Sequence, residues 1–506
     1  MAGWLSENPK YRSLKKQRFA GSLGSMFQTP MRFHIALVCV LFVLTWHEVA
    51  CAASPKIKPN ILLILADDLG YECLGVNGGE SYKTPNLDKL AAGGMRFDHA
   101  YAQPLCTPTR VQLMTGQSNV RNYVGFGKLD PKSPTFANIL QKAGYKTAMV
   151  GKWQLGKNPD QPRQAGFDEH LLWQHTLPRM DTEKADTRYG NPILERDGQP
   201  IDAPEGSYGP DLTLEFACDF ISRHKNGPFL LYYSDILPHC PLVPTPDSRE
   251  WALSNGRSKN YKGDLQYFDD MVAHMDKNVG RLVAKLDELG IRDNTLVIFL
   301  GDNGCDAPVV SRWRGKEIKA GKGKTTRAGM HVPFIANWPG VIPVESVCKE
   351  LVDTTDFVPT LCEAAAAPLP KEVPFDGISF LPILRGEKGQ PRDWIYSWYS
   401  ATLATVHESA FDKRFKLYTD GRFYDMDADP LEQTPLDDAK LDVTALAAKA
   451  KLSDALNRFN DARSERLKRL SKKLLKLLPK PKLQNEMDCV VQIVTYTNSS
   501  NASFNS

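Results

Sequence analysis

Two pairs of oxygen-bearing side chains, Asp67-Asp68 and Asp302-Asn303, each stand just beyond an apolar run, Ile61 to Ala66 in the first case and Leu296 to Leu300 in the second. Carboxylate and amide oxygens are the ligands of a hard divalent cation, and a cation offsets the repulsion that crowded carboxylates would otherwise feel. One such pair reads as an ordinary acidic turn; two at equivalent places predict a cation site. Between them in the chain, Cys106 lies two residues before Pro108, a residue suited to the first turn of a helix. Position 106 therefore falls at a helix N-terminus, where free backbone N–H groups favour negative charge. The bland alternative is a structural cysteine ahead of a helix. Lys152, Lys322 and His239 could handle an anion or a proton, although alone they read as surface charges and a capped or core histidine.

These residues need elements to hold them. Strand-like runs at 60–66, 146–150, 228–233 and 294–300 alternate with helical spacing of apolar residues at 85–92, 134–143, 212–224 and 261–289. That alternation predicts an α/β fold with a mostly parallel central sheet flanked by helices. In open sheets of this kind ligands sit beyond the carboxyl ends of the strands, where the polar clusters fall. Residues 157–210, rich in Pro, Gly and charge, read as a long surface excursion near the site mouth. After about 385 come short strands at 393–399, 414–418 and 421–426, which predict a smaller C-terminal antiparallel subdomain. The expected division is 1–52 extension and leader, 53–385 catalytic domain, 386–462 C-terminal subdomain, and 463–506 basic helix with a disordered polar tail.

A hydrophobic content of 42% with 24% charged residues is ordinary for a globular protein. The net charge of +4 is concentrated in basic ends, and the rest of the chain is net acidic, which gives no footing for nucleic-acid binding. The apolar run 35–44 follows Arg32 and precedes Ala50 and Ala52, spaced as a signal peptidase requires, and it is too short for a membrane span. The protein is thus expected to be exported, periplasmic or secreted, with Met31 as its true start and no integral span when mature. Lipid anchoring through Cys51 is disfavoured by Glu48. No cysteine spacing resembles a zinc site, and buried free thiols are the default expectation.

The segment from Pro104 to Gly116 matches the signature Cys-x-Pro-x-Arg followed by two residues, two apolar residues and Thr-Gly. With it, the chain resembles the type I sulfatases, the formylglycine-dependent arylsulfatase-like family of the alkaline phosphatase superfamily, from about residue 58 to about 440. Further stretches follow in the family's order: Gly151-Lys152-Trp153-Gln154-Leu155-Gly156, Pro238-His239-Cys240-Pro241, Lys322-Gly323 ahead of Gly329, Phe375 to Pro382, and Phe423 to Pro430.

The resemblance implies an alkaline phosphatase-like fold and hydrolysis of a sulfate ester, from a sulfated glycan or an aryl sulfate, to an alcohol and sulfate. It implies that a formylglycine-generating enzyme oxidises Cys106, that the hydrated aldehyde is the nucleophile, and that Asp67, Asp68, position 106, Asp302 and Asn303 bind one Ca2+, with Mg2+ as the alternative. Lys152 and Lys322 would neutralise the transferring group, His239 would serve the leaving alcohol or the sulfate, and Arg110 would orient the diol. Gln154 departs from the family's usual His and cannot accept a proton at neutral pH. Arg327 and His331 stand where many members have Glu and Arg, so the loop behind Lys322 is expected to be rearranged, and Lys324 competes with Lys322 for the sulfate. The rival readings are a formylglycine phosphonate or phosphodiester hydrolase, and a catalytically impaired sulfated-glycan-binding protein. Trp173, Arg179 and Arg188, with Arg312, Trp313 and Arg314, are expected as substrate walls.

Overall fold

The computed structural model describes residues 58–403 and 405–463. The expected leader and Met31, and nearly all of the expected basic helix and tail, lie outside them. Ten strands form one sheet in the order β12-β2-β11-β8-β1-β7-β3-β4-β5-β6. They are β1 (Asn60–Ala66), β2 (Met95–Tyr101), β3 (Lys146–Lys152), β4 (Glu169–Trp173), β5 (Leu194–Arg196), β6 (Gln199–Pro200), β7 (Phe229–Ser234), β8 (Thr295–Gly301), β11 (Phe334–Asn337) and β12 (Ser346–Asp353). β1 is central and pairs in parallel with β7 and β8, β3 with β7 and β4, and β2 with β12, while β11 and β5 run against their neighbours. The mostly parallel, helix-flanked sheet predicted from the sequence is what the chain forms.

The reason is visible in β1, where every residue is buried. Ile61, Leu63 and Leu65 enter one core with residues of the helices Cys106–Thr115, Phe136–Lys142 and Phe357–Ala364. Leu62, Ile64 and Ala66 enter the other, with residues of Pro85–Ala92, Gly209–His224 and Phe268–Glu288. A strand apolar on both faces is the form a parallel sheet requires between two helical layers. Each fully buried Leu or Ile contributes roughly 1.5–3 kcal/mol over its exposed state.

Three expectations need correction. The segment 157–210 is more than a surface excursion: β4 joins the central sheet beside β3, and Trp173, Arg188, Tyr189 and Glu195 are buried. Its polar composition hid a strand that follows a Pro-containing turn. The helix expected from 261 begins at Phe268, because Lys262 and Asp264 are engaged with the backbone of Leu242 and Gly263 takes φ +70°. β2 is absent from the strands expected from sequence; Met95 to Asp98 alternate apolar and polar, but His99 breaks the period after four residues.

β9 (Val310–Trp313) and β10 (Lys316–Lys319) form a separate hairpin. At the C-terminal end β13 (Ile395–Tyr399), β14 (His407–Phe411), β15 (Phe415–Tyr418) and β16 (Phe423–Asp425) make an antiparallel sheet. The helix Val443–Asn457 begins where Asp442 accepts from the Ala445 N–H at 2.7 Å, and it buries Ala445, Ala448, Leu452 and Ala455 with Trp398, Phe415, Leu417 and Phe423. Among the described residues no helix is long and apolar enough to cross a membrane.

Candidate active site

β1 and β8 end in register, Ala66 opposite Gly301, so Asp67 and Asp302 emerge side by side. The Asp302 N–H donates to Ala66 O at 2.9 Å, the Asp68 N–H to Asp302 Oδ1 at 3.0 Å, and Asn303 Nδ2 to Asp68 Oδ1 at 2.8 Å. Cys106 is the first residue of the helix Cys106–Thr115, with Pro108 in its first turn as the sequence predicts. Its Sγ and the carboxylate oxygens of Asp67 and Asp302 lie within 4.8 Å of one another.

Arg110, one turn on, reaches inward: Nη2 donates to Asp302 Oδ2 at 3.0 Å, and Nη1 donates to Ser234 Oγ and to Lys152 O. Lys152 closes β3 and sends Nζ to Asp67 Oδ2 at 2.6 Å, while the next residue, Trp153, turns into the core. Gly151 is required here, since a Cβ would lie 2.1 Å from Ser234 O on the neighbouring strand. Lys322 Nζ donates to Asp68 Oδ2 at 2.6 Å and to His239 Nε2 at 3.1 Å. Its loop folds through Gly329, where a Cβ would meet Lys324 O at 2.0 Å. Lys324 is exposed, and of the two lysines Lys322 is the one within the cluster.

The structure therefore gathers Asp67, Asp68, Cys106, Asp302, Asn303, Arg110, Lys152, His239 and Lys322. Gln154 stands at the margin, half-buried at φ 49°, with Thr107 Oγ1 donating to its Oε1 at a long 3.4 Å. Arg327 and His331 serve elsewhere. Arg327 pairs with Asp427 at 2.9 Å and donates to Lys413 O; His331 stacks on Tyr71 at 4.0 Å between ring centroids, its Nε2 against Asp98 O.

Ser234, which accepts from Arg110, and Asp306, 3.7 Å from Lys322, join the site without having been assigned to it from sequence, and Arg188, expected as a substrate wall, lies behind His239 instead. Arg188 is buried, stacks over Trp173 at 4.3 Å, pairs with Asp186 at 3.1 Å and abuts His239 Nδ1. Trp173 is thus core and not wall. Ser234 could have been found as the last residue of a strand in the same sheet; Arg188 lies in a segment with no periodic signal. Arg179 stacks on Tyr261, which is 41% exposed. Trp313 donates to Asn77 O at 2.9 Å and Arg312 pairs with Glu80, so that hairpin braces the 71–80 segment.

Burial opposes ionisation of Asp67, yet Lys152, then His239 and Arg110, outweigh it and hold this carboxyl well below the usual range. Asp302 is pushed up to about 8 by burial and by Asp67, and Asp68 is raised by burial against the pull of Lys322. Burial, then Lys322, keeps His239 neutral, and burial raises the Cys106 thiol. Asp67 Oδ1 and Asn303 Oδ1 are buried without a hydrogen-bond partner. Unpartnered oxygens of this kind cost about 1–3 kcal/mol each, and here they face a cluster of acidic groups resisting full ionisation. The donor set fits a hard divalent cation.

An α/β sheet with an oxygen-rich pocket, a helix N-terminus and buried ammonium groups at its strand ends is an alkaline phosphatase-like fold suited to hold a tetrahedral oxyanion. The family described as Sulfatase matches residues 59–367, and the family described as N-sulphoglucosamine sulphohydrolase, C-terminal, matches residues 325–460. Human arylsulfatase A is 35% identical over 376 residues, 68% of this chain and 71% of the relative. Dog N-acetylgalactosamine-6-sulfatase is 32% identical over 415 residues, 75% and 76% of the two chains. In fold, the chain resembles the PsFucS1 sulfatase from Pseudoalteromonas sp. with a TM-score of 0.64 at 24% identity, covering 87% of this chain and 96% of that one. It likewise resembles BT4656, solved in complex with its substrate D-glucosamine-2-N,6-O-disulfate, with a TM-score of 0.64 at 23% identity, covering 81% and 100%. The chain belongs to the sulfatase family. It is a sulfuric ester hydrolase.

Proposed function

We propose that this sulfatase removes sulfate from a sulfated sugar or aryl ester at position 106, with formylglycine in place of the cysteine and a divalent cation held by Asp67, Asp68, Asp302 and Asn303. The observation that carries the reading is the gathering of carboxylate oxygens of Asp67 and Asp302 around Cys106 Sγ, beside Asp67 Oδ1 and Asn303 Oδ1 that are buried without a hydrogen-bond partner. Hydrated formylglycine supplies an oxygen nucleophile and a second hydroxyl that expels sulfate, while a cation lowers the pKa of the former and polarises the ester.

This chain's own residues do the remainder. Arg110, fixed between Asp302, Ser234 and the Lys152 carbonyl, fills the base of the site and orients the group at 106. Lys152 and Lys322 approach from opposite carboxylates, Asp67 and Asp68, and offer positive charge to the sulfuryl oxygens as charge moves onto the leaving oxygen. His239 Nδ1 lies 2.5 Å from Cys240 O and Nε2 lies 3.1 Å from the Lys322 ammonium. Arg188 at Nδ1 and Lys322 at Nε2 can only donate, so the tautomer decides which ring nitrogen accepts, and the Lys322–His239 pair is placed to supply a proton to the departing alcohol. Arg188 and Asp186 position the imidazole from behind. Gln154 can hydrogen-bond a substrate hydroxyl or sulfate oxygen and transfers no proton.

The N-terminal run would direct export, and the maturation enzyme would meet the chain before Cys106 is buried. The direct test is sulfate release from a panel of sulfated sugars and aryl sulfates by the full, calcium-loaded protein matured with a formylglycine-generating enzyme. We expect turnover that Cys106→Ala abolishes and a chelator suppresses. Wild-type rates equal to those of Cys106→Ala on every ester would sink the reading.

A further inference from the structure

Behind the cation loops lies a pair of thiols that catalysis does not use. Cys73 follows Asp67-Asp68 by one short 3-10 turn, Tyr71–Cys73, and Cys305 follows Asp302-Asn303 by two residues. Their sulfurs are 3.3 Å apart, and both side chains are buried. The Gly70 N–H points at Cys305 Sγ at 3.4 Å, and Ser311 Oγ lies 4.0 Å from Cys73 Sγ. The two cysteines are therefore held in contact by the same register of β1 and β8 that sets the cation ligands side by side.

We propose that Cys73 and Cys305 are joined by a disulfide in the exported protein, a covalent clamp between the two loops that carry Asp67-Asp68 and Asp302-Asn303. Bonded sulfurs lie about 2.05 Å apart, so closure needs a sulfur approach of about 1.3 Å, within the reach of side-chain rotation. The reaction is thiol–disulfide exchange with a low-molecular-weight disulfide. One protein thiol loses its proton and displaces a small thiolate, forming a mixed disulfide; the second attacks that bond, forms the protein S–S bond and releases the second small thiol. Two protein thiols are oxidised and one small disulfide is reduced to two thiols. Burial of both sulfurs places the exchange during folding, and a finished clamp is shielded from exported reductants. The linkage spans 232 residues of chain, so it removes freedom chiefly from the unfolded state and from any opening of β1 against β8. Glu72, buried beside both sulfurs, could instead make the trio a soft-metal site, and the test separates the two.

The experiment uses the full-length protein refolded with oxidised glutathione, so it depends neither on the sulfatase chemistry nor on the native export route. It is denatured in iodoacetamide without reductant, digested with trypsin and analysed by mass spectrometry. We expect the peptide of residues 57–83 linked to that of 293–312, separating only after reduction. Reduction should lower the wild-type Tm by several degrees and leave that of Cys305→Ser unchanged. Alkylation of both cysteines without prior reduction overturns the clamp. Alkylation that requires a chelator and no reductant also overturns it, in favour of a bound metal.

Discussion

The two flanks of position 106 are built differently. On the β1–β8 side each charged group meets an opposite charge: Lys152 meets Asp67, Lys322 meets Asp68, and Arg110 lies between Asp302 and Asp67 at 3.0 and 3.7 Å. The carboxylates and Lys152 stand at strand ends, Lys322 on a loop and Arg110 on the helix Cys106–Thr115. On the other side Gln154 is half-buried, and among the described residues its side chain has a single hydrogen bond, the long 3.4 Å one from Thr107. The difference teaches that binding a cation and an oxyanion constrains residue type tightly, because buried charges must be matched. The margin at Gln154 tolerates a residue that carries no proton.

The comparison can be broken by substitution. Lys322→Ala should lower kcat by about 10²–10³-fold, the usual cost of removing a donor from developing negative charge, while Lys324→Ala should leave steady-state rates unchanged. Equal losses in the two variants would remove Lys322 from its place. Arg188→Ala, which strips His239 of its buried neighbour, should cost about 10–100-fold, mainly in kcat, with partial rescue by Arg188→Lys. A change confined to KM would make Arg188 a substrate contact.

Gln154→Ala should cost less than about tenfold, below the 10²–10⁴ expected of a group that transfers a proton. Gln154→His should raise kcat if the site still accommodates the family's usual residue. A thousandfold loss in Gln154→Ala would show that the two flanks are equally committed.

The smallest expected effect is on stability. Burial, partly offset by the Leu237 N–H, pushes Asp235 up to about 7 from 3.8, and its Oδ2 is buried without a partner. The folded state then disfavours the ionised carboxyl, so its contribution to stability is fully present below about pH 4 and is lost as pH rises to about 7. Asp235→Asn, neutral throughout, should flatten that decline, by up to about 4 kcal/mol at pH 8. Urea midpoints from pH 4 to 8 for the two proteins would check it, and parallel curves would contradict it.

Much of the site was legible because strand ends concentrate it. The apolar runs before Asp67 and Asp302 and the Cys106-x-Pro108-x-Arg110 spacing point to the residues that the structure gathers, without any long-range information. Of the two lysines, Lys322 is the one that reaches Asp68, on a loop whose turn needs Gly329, while Lys324 is exposed. The burial of Arg188, expected as a wall, and the strand β4 were hidden because both are tertiary: a charged residue in an aperiodic stretch is placed by Trp173, Asp186 and His239, none adjacent to it in a repeating pattern. Nor could sequence show that the C-terminal sheet braces the Lys322 loop, through Tyr418 OH on Thr325 Oγ1 at 2.7 Å and Lys416 on Thr325 O.

The central claim is that position 106 is an aldehyde-bearing residue poised over a cation. It is tested most directly by mass spectrometry of the tryptic peptide of residues 97–110, from protein made in its natural host, with and without a hydrazide probe. The expected result is a peptide in which the thiol-bearing carbon of Cys106 has become an aldehyde, reactive towards the hydrazide. A peptide carrying only the unmodified thiol, from protein that nonetheless releases sulfate, would contradict it.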